Sequence, residues 1–299
     1  MAKETGRACL SVIGSAKQAS RDTGFAAIRD IACVQGGLRG LVHSVNHAGG
    51  SAPLQISIGS VPLSLFIREA ALHVQAVKRY SEFFQDSSNA LPILLNHRKA
   101  GAPGPCEFSY TLDDATLFFG SRRAEFLGVR NEYAMDSLLR ILLTVVLLPQ
   151  RGFLLHAATV VRDGRAYIFA GRSGAGKSTV ASLSPEGNVL TDEISLLRYS
   201  NGCWQAHGTP FWGEFRAAGS NRQFPVAGIY SLVQAGSDRV ESLSAKQALR
   251  ALLPCVLFFT SENDSHEALL MMLLNLIGEI PCHRLHFRRK AEFWKVIAA

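Results

Sequence analysis

One octapeptide constrains the architecture more than anything else in the 299 residues: Gly171-Arg172-Ser173-Gly174-Ala175-Gly176-Lys177-Ser178 satisfies the pattern GxxxxGK[S/T]. The pattern has physical meaning only where a strand enters it and a helix leaves it. Its glycines then let successive backbone N–H groups converge on phosphate oxygens at a helix start, where the macrodipole adds to the attraction. Both conditions are readable here, since residues 166–170 form a short apolar run and a helix can open near Lys177. A strand, loop and helix in succession place the chain in the α/β class. In that geometry Lys177 reaches the β- and γ-phosphates of a nucleoside triphosphate, and the Ser178 hydroxyl ligates Mg²⁺.

Phosphoryl chemistry also needs a carboxylate for the metal and a group that positions or deprotonates the nucleophile. Asp192 and Glu193 arrive at the end of the next apolar run, residues 189–191. They read either as a solvated turn after a strand or as a metal ligand and a base beside the phosphates. The flanking Val189, Leu190, Ile194, Leu196 and Leu197 favour the second, because an unpaired carboxylate in apolar surroundings is costly. His156, within Leu154-Leu155-His156-Ala157-Ala158, is either a satisfied core histidine or an active-site group. Glu214 and Arg216 follow the stretch 207–213 and read as a metal ligand and a phosphate clamp, or as an ordinary surface ion pair; Arg222 is a second candidate clamp.

Three regions follow from texture along the chain. Residues 1–52 are rich in Gly, Ala and Ser, end in Ala48-Gly49-Gly50-Ser51-Ala52 ahead of Pro53, and read as a leader and linker. Residues 53–132 carry strand patterns at 54–58, 61–67, 107–112 and 116–120 with a helical stretch at 69–84, a small α+β accessory domain. A helix over 133–148 leads into the third region, 133–299. There a strand at 154–161 turns through Arg162-Asp163-Gly164-Arg165 into 166–170, and Asp-Gly between apolar runs is a strong hairpin signal. Further strands are expected at 189–191, 194–199, 203–206 and 282–287, the second turning at Ser200-Asn201-Gly202. Helices are expected at 245–253, 265–277 and 293–297, the second so apolar that it should be buried.

Composition excludes several classes. With 47% hydrophobic and 18% charged residues the chain is not disordered overall. Six cysteines without a CxxC pair fit neither a zinc site nor a disulfide-stapled secreted scaffold. The longest apolar run, 141–149, is far short of the roughly 20 residues that cross a bilayer, and no signal-peptide pattern opens the chain, so no membrane association and a cytoplasmic location are expected. A net charge of +7 suits a nucleic-acid, acidic-protein or phosphate-bearing partner, or is simply a mildly basic surface. Beyond Arg288-Arg289-Lys290 no Lys/Arg run appears, and no nucleic-acid partner is expected.

From about Tyr133 to the C-terminus these features together resemble the HPr kinase-like family, bacterial kinases related in core fold to phosphoenolpyruvate carboxykinase. The resemblance rests on His156 in its apolar strand, the hairpin 160–169, the loop from Gly171 to Thr179, and Asp192-Glu193 where the family commonly has two Asp. It also rests on Gly208-Thr209-Pro210-Phe211-Trp212-Gly213-Glu214, similar to a motif of relatives found in bacterial gene clusters, and on the ending 281–294. It implies a phosphate-loop core with a mixed sheet behind a small α+β domain, with ATP and Mg²⁺ as cofactors. The implied activity is transfer of the γ-phosphoryl group to a Ser/Thr hydroxyl of a small protein or peptide. By resemblance His156 is the active-site histidine, residues from Gly171 to Thr179 bind nucleotide, and Ser178 and Glu214 hold Mg²⁺. The acidic pair supplies the base and a further metal ligand, and Arg216 lies near the transferred group. Alternatives are a small-metabolite kinase of the nucleoside-monophosphate or shikimate type and an ATP-binding or ATP-hydrolysing regulatory protein without kinase activity. Homo-oligomerisation is left open.

Overall fold

Two-residue turns with both residues in the left-handed region set three hairpins. Gly59-Ser60 (φ +59° and +62°) joins β1 (Leu54–Ile58) to β2 (Val61–Ile67), and Asp163-Gly164 (φ +51° and +71°) joins β7 (Gly152–Arg162) to β8 (Arg165–Ala170). Asn201-Gly202 (φ +53° and +79°) joins β10 (Ile194–Ser200) to β11 (Cys203–His207). Such turns match the right-handed strand twist, and Asn, Asp and Gly tolerate positive φ. The chain is described here from a computed structural model covering residues 52–96, 106–120, 123–185, 188–213, 219–260 and 262–297, all within a compact unit spanning 37–299. Almost all of the expected leader, and Glu214 and Arg216, lie outside the described residues.

The first sheet has six strands in the order β1-β2-β3-β6-β5-β4. It adds β3 (Leu91–Leu95), β4 (Phe108–Leu112), β5 (Ala115–Gly120) and β6 (Arg123–Leu127). Helix α1 (Ala70–Tyr80) makes the crossover between β2 and β3, which are parallel, as are β3 and β6. The second sheet has nine strands along β11-β10-β7-β8-β12-β15-β13, where β12 is Gln223–Gln234, β13 Arg239–Ser242 and β15 Cys282–Phe287. The short β9 (Val189–Thr191) and β14 (Val256–Leu257) also pair with β7. Strands β8, β12 and β15 are mutually parallel and the rest antiparallel. The fold is therefore mixed α/β with two mixed sheets and, among the described residues, six α-helices.

Helix α2 (Glu132–Leu147) joins the two sheets. The Asn131 side chain caps its start by accepting from the Ala134 N–H at 3.0 Å, and its residues are apolar nearly all round, the pattern of a helix buried on more than one side. It packs on β5 of the first sheet and β7 of the second. One core consequently runs through both, with Leu65, Phe126, Leu139, Leu154 and Leu196 in a single cluster. The β1–β2 turn closes onto the second sheet: Arg198 Nη1 donates to the Gly59 carbonyl at 2.6 Å, and a Cβ at Gly59 would collide with the Leu196 side chain.

Helices α3 (Lys177–Ser182), α4 (Ala245–Leu252), α5 (Asn263–Glu279) and α6 (Phe293–Ile297) complete the chain. The apolar composition of α5 predicts full burial, and the structure corrects this. Leu269, Met272, Leu273 and Leu276 face the core while Leu270, Met271 and Leu274 are exposed, because the helix packs on one side only. No helix among the described residues is long and apolar enough to cross a membrane.

Candidate active site

Strand β7 is the spine of the site because three partners meet on it within a few residues. His156 lies opposite Ile194 of β10, Ala157 opposite Ala170 at the end of β8, and Thr159 opposite Thr191 of β9. The loop that leaves β8 at Gly171 and the two-residue link Asp192-Glu193 between β9 and β10 are thereby brought to the middle of β7. His156 stands next to the residue that pairs with the start of the loop.

The loop 171–176 turns through Gly174 (φ +78°) and Gly176 (φ +109°) before α3 begins at Lys177. Both conformations are strained for a residue with a side chain, and a Cβ at Gly176 would also stand 2.6 Å from Phe287 Cζ. Gln234, at the end of β12, ties the loop down by donating to the Gly174 carbonyl at 2.7 Å. The buried Lys177 Nζ donates to the carbonyls of Gly171 (3.0 Å) and Arg172 (3.3 Å), so the ammonium is held across the loop mouth. The first-turn N–H groups of Lys177, Ser178 and Thr179 have no intrahelical acceptor. At six residues α3 is short, so these N–H groups and Lys177 weigh more than the macrodipole in what the loop offers an anion. The buried Cys255 thiol, pushed up by burial, accepts from the Gly171 N–H, a neighbour the sequence did not suggest.

The acidic link is pinned by hydroxyls. Thr191 Oγ1 and Thr209 Oγ1 both donate to the Ile194 carbonyl, at 3.0 and 2.7 Å, and Ser195 Oγ donates to the Ala157 carbonyl at 2.9 Å. Asp192 is buried and its Oδ1 accepts from the Gly213 N–H at 3.0 Å. A Cβ at Gly213 would approach Asp192 Oδ2 and Glu193 Cβ to about 3.2 Å and 3.1 Å, so the missing side chain permits this approach. Burial pushes the Glu193 carboxyl up and the Asp192 charge pushes the same way, while Arg140 and, further off, Lys177 pull it down. Burial, with Lys177 and Arg140 nearby, lowers His156 to about 4. His156, Lys177, Asp192, Glu193 and Arg140 therefore share one electrostatic neighbourhood.

Arg140 is the member sequence reasoning missed. Its signal was a lone arginine inside the apolar run of α2, four residues after Asp136. It donates from Nη2 to Glu193 Oε2 at 3.2 Å, with its guanidinium 5.1 Å from the Phe211 ring. The neighbouring Trp212 ring carries the Arg79 guanidinium at 3.8 Å, and Arg79 pairs with the buried Asp136, which also accepts from the Tyr80 hydroxyl at 2.6 Å. The segment 209–213 is thus held to α1 and α2 by two arginines and to the acidic link by Thr209 and Gly213. Arg222 is exposed, stacked over Phe224 and donating to Ser220 Oγ.

The residues present suit a nucleotide and Mg²⁺ in the manner of a phosphate loop: first-turn amides without an intrahelical acceptor, an ammonium beside them, a hydroxyl at the helix start, and a carboxylate pair on the link between β9 and β10, which both pair with β7. Among the described residues no three His, Cys, Asp or Glu side chains assemble into a metal cluster. This donor set matches Mg²⁺, which takes one or two carboxylates and completes its shell with phosphate oxygens and water.

A family model described as SynChlorMet cassette protein ScmC matches residues 131–299, more than half of the chain. The chain belongs to the ScmC family. The ScmC match begins at the cap of α2 and runs through both sides of the candidate site, from Arg140 to Gly213. No curated protein matches the chain significantly. Among solved structures the chain is similar to the Hpr(Ser) kinase/phosphatase from Coxiella burnetii, at 15% identity over 41% of this chain and 87% of that one, with a TM-score of 0.24. A likeness of that strength assigns neither fold nor activity.

Proposed function

We propose that the chain is an ATP-dependent kinase that transfers the γ-phosphoryl group to a Ser or Thr hydroxyl of a small protein or peptide. The observation that carries this reading is the convergence on β7 of the 171–178 loop, Lys177, His156 and the Asp192-Glu193 link. When bound, Mg-ATP supplies an electrophilic γ-phosphorus with ADP as the leaving group. The loop amides and Lys177 hold the β- and γ-phosphates, and Ser178 with one carboxylate of the pair holds the metal. The other carboxylate takes the acceptor's proton as the hydroxyl oxygen bonds to phosphorus and the bond to the β-phosphate oxygen breaks. His156, with a value near 4, is uncharged at neutral pH, so it serves as a neutral hydrogen-bonding group and adds no positive charge. Glu214 as a further metal ligand and Arg216 as a clamp belong to the same proposal through resemblance alone.

The test is phosphate transfer from labelled Mg-ATP to small proteins and peptides encoded beside the gene, set against small hydroxyl metabolites and against water. The account expects label on a peptide hydroxyl. Label only on a metabolite establishes the metabolite kinase, and phosphate release to water alone establishes a nucleotide-hydrolysing regulator.

A further inference from the structure

Helix α2 presents Asp136 and Arg140 one turn apart, and the two are used differently. Asp136 is fully engaged by Tyr80 and Arg79. Arg140 makes a single hydrogen bond among the described residues, to Glu193 at 3.2 Å, longer than the 2.7–2.9 Å usual for charge-assisted pairs. Its Nε–H is buried without a partner, so a fork of five N–H donors is spent on one bond. The Phe211 ring lies 5.1 Å from the guanidinium, a contact that uses none of its donors.

The position of Arg140 is informative as well. Arg140 and Lys177 both act on His156 and on Glu193, which puts the two cations near the same pair of groups. Lys177 belongs to the loop that cradles the β-phosphate, and Arg140 comes from a different element facing the acidic link. A phosphoryl group placed at the acidic link would bring negative charge against Glu193, and a cation already at that carboxylate would offset the repulsion.

We propose that Arg140 is a nucleotide-contacting residue that reads the terminal phosphate, moving its donors from Glu193 to the γ-phosphoryl oxygens. This deepens the kinase reading and rests on it. The contact distinguishes a triphosphate from a diphosphate, because ADP leaves Arg140 on Glu193.

The test is equilibrium binding of Mg-ADP and a non-hydrolysable Mg-ATP analogue to the full chain, by calorimetry, for the wild type, Arg140→Gln and Arg140→Lys. The account expects Arg140→Gln to weaken the triphosphate analogue about 10- to 100-fold while Mg-ADP changes by less than about threefold. Arg140→Lys should recover part of the loss, since it keeps the charge without the planar fork. Equal weakening of both nucleotides, or no weakening of either, overturns the assignment. If Arg140→Gln does not fold, Arg140→Lys decides: a reduced preference for the triphosphate supports the contact, and an unchanged preference overturns it. A wild type that binds neither nucleotide removes the nucleotide site itself, an outcome distinct from failure of Arg140 alone.

Discussion

Two arginine–carboxylate pairs touch α2, and they differ in nearly every physical respect. The Arg79–Asp136 side chains are 6% and 4% exposed, and the pair is supported by the Tyr80 hydroxyl. The Arg140–Glu193 side chains are 22% and 29% exposed, joined by one bond. Burial pushes the Asp136 carboxyl up against the pull of Arg79, and it does the same to Glu193 against Arg140. The first pair therefore works as part of the core, where neither charge can be lost alone. The second has solvent access and unspent donors, the properties of a group that can change partners. The same residue types one helical turn apart thus divide between holding the fold and serving the site.

The sharpest way to break this contrast is at Glu193. Glu193→Gln keeps the shape and removes the charge; transfer should fall about 10²- to 10⁴-fold if it is the base, while thermal stability holds or rises because a half-buried charge has gone. A stability loss with normal transfer would reverse the two roles. Next in size is Asp136→Asn, which leaves the Arg79 charge buried and uncompensated and should cost about 3–5 kcal/mol in urea unfolding. The double variant Arg79→Met/Asp136→Leu should cost less than that single change, because no lone charge remains. In Asp136→Asn, nucleotide affinity of the folded protein should match the wild type.

Trp212→Leu tests the link between the pairs. It removes the ring stacked under Arg79 and loosens the segment that brings the Gly213 N–H to Asp192. Stability should fall by about 1–2 kcal/mol and the Mg²⁺ requirement for nucleotide binding should rise, whereas a purely structural ring would change stability alone. The smallest effect expected is on pH dependence. His156 and His207 are both lowered to about 4 by burial. A histidine kept neutral in the folded state contributes its stability fully above its unfolded value of about 6.5, and this is lost as the pH falls toward 4. Unfolding followed between pH 7 and 4 should show declining stability, and His207→Gln should flatten part of that decline.

Local chemistry explains what the sequence made legible. Asp163-Gly164 and Asn201-Gly202 announce their hairpins because few residue pairs accept two consecutive positive φ values. The loop 171–178 was readable because its glycines recur at fixed spacing, two of them, Gly174 and Gly176, at positive φ. Strand β12 was not, because Pro225 and Gly228 look like breakers; they sit beside a register shift between Val226 and Gly228, after which the strand runs on between β8 and β15. Strands β3 and β6 are five residues each; β3 shows no polar-apolar alternation, and the alternation of β6 from Arg123 to Phe126 is too short to stand out. The partial exposure of α5 was hidden because apolar composition alone says nothing about which face finds a partner. Arg140 escaped notice because its partner Glu193 is 53 residues away in sequence, and only the antiparallel pairing of β7 with β10 brings them together.

The central claim is that the loop ending in Lys177 is a nucleotide site, and thermal unfolding with and without Mg-ATP tests it most directly. The account predicts that Mg-ATP raises the melting temperature of the wild type, and that Lys177→Ala abolishes the shift while the protein remains folded. A wild type whose melting temperature does not respond, or a Lys177→Ala variant that responds as the wild type does, would contradict it.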